Sequence, residues 1–261
     1  HFYCYLIVIV ICINHYLMRS KIKKIIQSLS YNFFKRKDFL TPYERFEKEQ
    51  ILDSFNYFKK YFLQCVHFKN EIDIRSYAIK LSLKNFKNIS KKNKKFLFLE
   101  FGVFKGGSIN FFSKFLKNEN LVIYGFDTFD GFTEDWKGTF RIAGDYSNDL
   151  KLPFVENNVQ LIKGPIQTTL DKFFIEKKDN KVIFVHFDLD TFESTNFAIK
   201  KIKPFLNSES FLLFDNFYNY AAWKVGEFKA LMQNFDESEI SYLGFGSEEQ
   251  VLIKISLASE K

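Results

Sequence analysis

Three acids and a carboxamide stand where this chain can do chemistry. Asp188 and Asp190 follow the apolar run VIFVHF, and Asp215 and Asn216 follow FLLF. A third apolar run, FLFLEF, contains Glu100 and breaks at once into Gly102, Gly106, Gly107 and Ser108. Asp127 closes LVIYGF, with Asp130 three residues on, and Gly164, Gln167 and Thr168 follow VQLIK. Short apolar runs bounded by turn signals read as buried strands, so each polar group sits at the carboxyl end of a strand. An unpaired buried carboxylate is costly, and core packing does not account for acids at four of five such tips. If the VIFVHF and FLLF strands are neighbours, two or three carboxylates and a carboxamide oxygen converge. They repel unless a cation neutralises them, and an all-oxygen ligand set favours a hard ion such as Mg²⁺. Helix capping is the competing explanation, with Asp190 just ahead of Thr191 and Glu193.

The tip after FLFLEF has the pattern E-x-G-x-x-x-G-G-S. It is neither the dinucleotide fingerprint nor the P-loop. Glycines let a backbone approach a ligand, and a helix starting near Ser108 favours an anionic group at its N-terminus. A tight turn is the plain alternative. An acid at the end of the next strand, here Asp127, can accept hydrogen bonds from ribose hydroxyls; its plain alternative is a turn residue. Together the two tips indicate an adenosine-type ligand.

These tips are positioned by alternating elements. Strands are expected at 96–101, 121–126, 159–163, 182–187 and 211–214, with helices at 108–116, 168–174, 193–202 and 220–235. Strands at 240–245 and 251–255, separated by Gly246-Ser247, close the chain. Strands alternating with helices imply a mostly parallel sheet covered on both faces, and the short last connection implies an antiparallel hairpin at one edge. Two helices precede this pattern. One is opened by Thr41-Pro42, with apolar residues at Phe46, Ile51, Phe55, Phe58 and Phe62; the other runs from about Ile72 to Asn88. They are expected to pack on the sheet edge or over its ligand mouth, and they are candidates for a homodimer contact. The domain reading is therefore an apolar and basic extension at 1–40, a helical region at 41–94 and an α/β domain at 95–261.

The composition is globular: 261 residues, 46% hydrophobic and 26% charged, with a net charge of +7. Thirty-five phenylalanines and abundant lysine read as nucleotide bias. The lysines are scattered, with no basic stripe on a docking motif, so no nucleic-acid partner is expected. Cys4, Cys12 and Cys65 form neither a disulfide framework nor a metal spacing, which fits a reducing cytoplasm. Phe2 to Ile13 is continuously apolar, short of the roughly 20 residues that span a bilayer. Basic residues Arg19, Lys21, Lys23 and Lys24 follow it. Residues 2–17 read either as a membrane tether, with the rest of the chain on the cytoplasmic side, or as translated sequence ahead of a start at Met18.

The stretches LEFGVFKGGS, YGFDTFDGF, LIKGPIQTTL, VHFDLDTFEST, LLFDNF and NYAAWKVGEFKA resemble class I S-adenosylmethionine-dependent methyltransferases, most closely the macrocin O-methyltransferase-like (TylF-like) family. The resemblance covers about residues 96 to 235. It implies a Rossmann-like three-layer αβα sandwich with a mostly parallel seven-stranded sheet. Glu100, Gly102, Gly106 and Ser108 would hold the methionine moiety, Asp127 the ribose, and Gln167 would lie near the adenine, with Asp188 also on the cofactor side. Asp188 or Asp190, with Asp215 and Asn216, would bind Mg²⁺. The family often has two acids at the last site, where this chain has Asp-Asn, so that site carries less negative charge.

The implied activity is Mg²⁺-dependent O-methylation of a small hydroxylated acceptor, a sugar or glycosylated metabolite. Asp188 or Asp190 takes the hydroxyl proton as catalytic base. His186 is expected in the core or behind the site. Residues 129–158, with Trp136, Phe140, Arg141 and Tyr146, are a candidate lid over the acceptor. Two other readings stay open: a nicotinamide-dependent oxidoreductase of the same architecture, and a membrane-tethered protein that keeps the fold without turnover.

Overall fold

The computed structural model describes residues 22–24, 40–89 and 95–256. Two units divide between Lys48 and Glu49. In the first, residues 22–24 are helical. Thr41 and Glu44 form a reciprocal capping box: Glu44 N donates to Thr41 Oγ1 (3.2 Å) and Thr41 N donates to Glu44 Oε2 (2.8 Å). This box opens helix α1 (Pro42–Phe62), as Thr41-Pro42 predicts. The apolar stretch 2–17, with Cys4 and Cys12, lies outside the described residues. No helix of the described residues is long and apolar enough to cross a membrane.

The second unit runs through β1 (Val66–Phe68), α2 (Glu71–Ile89), β2 (Lys95–Phe101), α3 (Gly107–Lys117), β3 (Ile123–Asp127), β4 (Val159–Lys163), α4 (Ile166–Glu176) and β5 (Asn180–Phe187). It continues with α5 (Phe192–Ile202), β6 (Phe211–Phe214), α6 (Glu227–Met232), β7 (Ile240–Gly246) and β8 (Val251–Ile255). All eight strands form one sheet in the order β1-β7-β8-β6-β5-β2-β3-β4. Pairings are parallel except β6–β8 and β7–β8. From β2 the chain winds out through β3 and β4, then returns to β5 on the other side of β2. The β2–β5 boundary is therefore the topological switch point, outside which such sheets bind ligands.

Two differences from the sequence expectation have physical causes. The sheet has an eighth strand, β1, and so the closing hairpin is not at the edge. At three residues, β1 is too short to show a period. The helix expected at 220–235 is reduced to α6, because residues 217–226 form turns that bury Phe217, Trp223 and Ala222 individually. Apolar residues packed turn by turn mimic a helical stripe.

Helices cover both faces. On one, α4 and α5 bury Leu170, Phe173, Ala198 and Ile199 against Leu97, Leu99, Val185 and Leu212. On the other, α2 and α3 bury Ile74, Ala78, Ile109 and Phe112 against Phe98, Ile123, Phe184 and Leu213. The two helices ahead of β2 thus serve opposite faces: Ile74 and Ala78 of α2 lie in the second cluster, Phe58 of α1 in the first. The phenylalanines have a structural use beyond nucleotide bias. Phe126, Phe101, Phe187 and Phe214 are register partners across β3, β2, β5 and β6. Their ring centroids are 5.1, 5.5 and 4.7 Å apart, a continuous aromatic ladder at the carboxyl ends of four strands.

Phe58 is fully buried, with Phe217, Trp223, Phe228 and Phe245 rings 5.5–5.9 Å from its own. Phe58→Ala is expected to lower stability by about 3–5 kcal/mol, read as a reduced urea midpoint with unchanged slope.

Candidate active site

Gly102 leaves β2 with φ +85°, a left-handed conformation that favours glycine. A Cβ there would lie 1.9 Å from the backbone oxygen of Asp188. The ends of β2 and β5 can touch this closely only without a side chain at residue 102. Gly102 N donates to Phe126 O (3.0 Å) and Asp188 N to Phe101 O (2.9 Å), extending the sheet pairing past its last residues.

Asp127 holds the turn after Gly102. Its Oδ2 accepts from Val103 N and Phe104 N, and its Oδ1 from Phe129 N, each at 2.7 Å. Asp190 sits at φ +59° in a three-residue turn closed by Thr191 N donating to Leu189 O (2.5 Å). That conformation is strained for a non-glycine residue, and such strain clusters at functional sites.

A cavity of about 650 Å³ opens at the switch point, within the roughly 300–1,000 Å³ range of ligand pockets. Gly102, Asp127, Gln167, Asp188, Asp190, Asp215 and Asn216 all line it. Trp136, Phe140, Arg141 and Tyr146 of the segment expected as a lid form its other wall. Within that wall, the Arg141 guanidinium lies 5.1 Å from the Tyr146 ring centroid, and Trp136 packs 5.7 Å from Tyr220.

Glu100, Gly106 and Ser108 do not line the cavity. Glu100 is fully buried: its Oε1 accepts from Ser108 Oγ (2.9 Å), and its Oε2 lies 3.2 Å from His186 Nδ1. The contact follows from register, because Glu100 pairs with His186 across β2 and β5. His186, also fully buried, has its Nε2 3.7 Å from Asp215 Oδ1. Desolvation works against its charge, but the carboxylates of Asp215 and Glu100 raise its pKa to about 9, so it is an imidazolium.

Two residues that contact this cluster have no counterpart in the sequence expectation. Arg75 of α2 places Nη2 2.9 Å from Asp215 Oδ1 and Nη1 3.3 Å from Glu71 Oε2. Glu227 of α6 is fully buried, with Oε2 accepting from Asn216 N at 3.0 Å and Oε1 without a hydrogen-bond partner. Desolvation, with the charges of Asp188 and Asp215, raises the Glu227 pKa well above the usual range. Asp188 is pushed up to about 7 by desolvation and Asp215, and Asp190 is also raised well above the usual carboxylate range by desolvation and Asp188. Asp215 goes the other way: desolvation is outweighed by His186 and Arg75, which hold it ionised.

This arrangement does not fit the magnesium expected from the sequence. No group of three or more His, Cys, Asp or Glu side chains among the described residues is arranged to hold a metal ion. One Asp215 oxygen, Oδ1, already faces both Arg75 and His186. Asn216 donates its amide nitrogen to Glu249 Oε2 (2.8 Å), a contact that does not engage its carboxamide oxygen.

Sheet order, switch-point cavity and glycine turn together give a Rossmann-like α/β fold. Residues 99–217, from within β2 to just past Asn216, match a protein family described as a methyltransferase domain. Among solved structures, the chain is similar to the calicheamicin methyltransferase CalS11, with 22% identity over 68% of this chain and 77% of that one and a TM-score of 0.51. The O-methyltransferase NovP shares 14% identity over 68% of this chain and 79% of its own, with a TM-score of 0.50. No curated protein sequence matches the chain significantly.

Two variants probe this geometry. Gly102→Ala forces the β2 and β5 tips apart, and is expected to lower the melting temperature and abolish ligand binding in the cavity. His186→Ala leaves Glu100 buried with only Ser108 as partner, and is expected to cost about 3–5 kcal/mol in urea unfolding. Wild-type melting of Gly102→Ala, or wild-type stability of His186→Ala, contradicts the respective contact.

Proposed function

We propose that this chain is an S-adenosylmethionine-dependent O-methyltransferase acting on a hydroxyl of a sugar or glycosylated natural-product metabolite. The observation that carries the reading is one cavity at the switch point, lined by Gly102 and Asp127 on one side and by Asp188 and Asp190 on the other. Support for the substrate class comes from the similar folds, one a calicheamicin methyltransferase and one an O-methyltransferase.

The residues fit the cofactor. Gly102 lets the β2 and β5 tips close together at the cavity floor, and Asp127 lines the cavity with about one lone-pair site left for a ribose hydroxyl. Gln167, on the first turn of α4, lines the same cavity and is the residue assigned to the adenine edge. Glu100 and Ser108 support this cradle from beneath, through Gly102 and α3. Bound S-adenosylmethionine supplies an electrophilic methyl group on a sulfonium. The chain's part is to align an acceptor hydroxyl with that group and remove its proton. Asp188 or Asp190 takes the proton, and Trp136, Phe140 and Tyr146 present aromatic faces to the acceptor while excluding water. Magnesium has no step in this reading.

Calorimetry is expected to show one S-adenosylmethionine site; no binding removes the proposal. Asp188→Asn and Asp190→Asn, assayed separately, are expected to single out the base by a loss in kcat of about 10²–10⁴, with cofactor affinity nearly unchanged. If both variants turn over normally, neither aspartate is the base.

A further inference from the structure

We propose that Arg75 is the resident cation of the acid cluster at the β5 and β6 tips, its guanidinium holding Asp215 in the place that the sequence pattern reserves for a divalent ion. The inference deepens the methyltransferase reading and rests on it for the identity of the reaction. The observations are geometric. Glu100, Asp188, Asp190, Asp215, Glu227 and Glu249 gather around the switch point, with His186 and Arg75 as the cations among them. Arg75 reaches Asp215 Oδ1 at 2.9 Å with both side chains largely buried, at 13% and 15% exposure. A divalent ion on Asp215 would meet the guanidinium, and like charges at such a distance repel strongly in a poorly solvated site.

Arg75 comes from α2, on the face where Ile74, Ala78 and Ile79 are buried. An arginine stays protonated at any working pH and presents fixed donors to a carboxylate. Unlike a metal ion, it is not a Lewis acid and does not acidify an acceptor hydroxyl by ligation. Proton removal then falls entirely to Asp188 or Asp190. Arg75 acts through Asp215, as a positioning residue.

The test uses Mn²⁺, read by electron paramagnetic resonance, as the metal probe. It is titrated into the wild type, Arg75→Ala, Arg75→Gln and Arg75→Lys, each checked for fold by circular dichroism. Wild type and Arg75→Lys are expected to bind no Mn²⁺ up to about 1 mM, the weak end of specific binding. Arg75→Ala and the nearly isosteric Arg75→Gln are expected to gain one site, about tenfold or more tighter than any in the wild type. A salt bridge with a purely structural role would move stability and leave metal binding unchanged. One Mn²⁺ bound by the wild type overturns the proposal, with no variant needed. So does a folded neutral variant that still binds none. S-adenosylmethionine calorimetry on the same wild-type sample separates the two ideas: its failure removes the methyltransferase reading and leaves the cation assignment to the Mn²⁺ result.

Discussion

A buried imidazolium between two carboxylates is the interaction around which the rest of the site is arranged. His186 joins Glu100 on β2 to Asp215 after β6; Ser108 of α3 and Arg75 of α2 complete the chain. A charge removed from water is tolerable only when its partners are in place. The chain of charges therefore fixes more than a local contact. Slipping β2 by one residue against β5 would bring Glu100 to the opposite sheet face and leave His186 buried beside Phe101 or Leu99. The ion chain and the aromatic ladder impose the same register from opposite faces of the sheet, through Glu100–His186 and Phe101–Phe187.

That register gives the cavity its form. With β2 and β5 locked, Gly102 meets the Asp188 carbonyl, and the following loop turns under the Asp127 carboxylate. Beyond Asp188 the chain turns tightly through Asp190 at positive φ, aiming a second acid at the same space. The loop is organised by its own hydrogen bonds, so a ligand meets a preformed surface and loses less freedom in ordering it. Asp127 has a double place in this sense: a carboxylate that lines the cavity also holds the turn beside it.

Much of this was legible in the sequence. Apolar runs of strand length alternating with helical periods led to the sheet and its switch point, and acids at successive strand tips led to the cavity lining. Glu100 was legible as a special position but not in its orientation. Its pattern places it beside the glycine turn, whereas strand parity points it inward, to His186 and Ser108. The magnesium expectation took the acid count as incomplete without an external cation. The missing positive charge lies more than a hundred residues earlier, on a helix, and proximity across such a separation is a property of the fold. One signal was present: Arg75 is one of five arginines against 33 lysines, and it sits beside the buried Ala78 and Ile79 on its helix. Glu227 gave no comparable signal, because an acid in the first turn of a helix is ordinary.

The place of Arg75 in the chain bears on how portable the domain is. The matched methyltransferase segment is residues 99–217, and α2 lies wholly upstream of it. A segment cut at the first strand of the glycine turn would keep every acid at the strand tips and lose the guanidinium opposite them. Its surplus negative charge would sit around one buried imidazolium. The helix before β2 is thus an electrical part of the α/β core, and grafting or recombining this domain requires carrying α2 along with it.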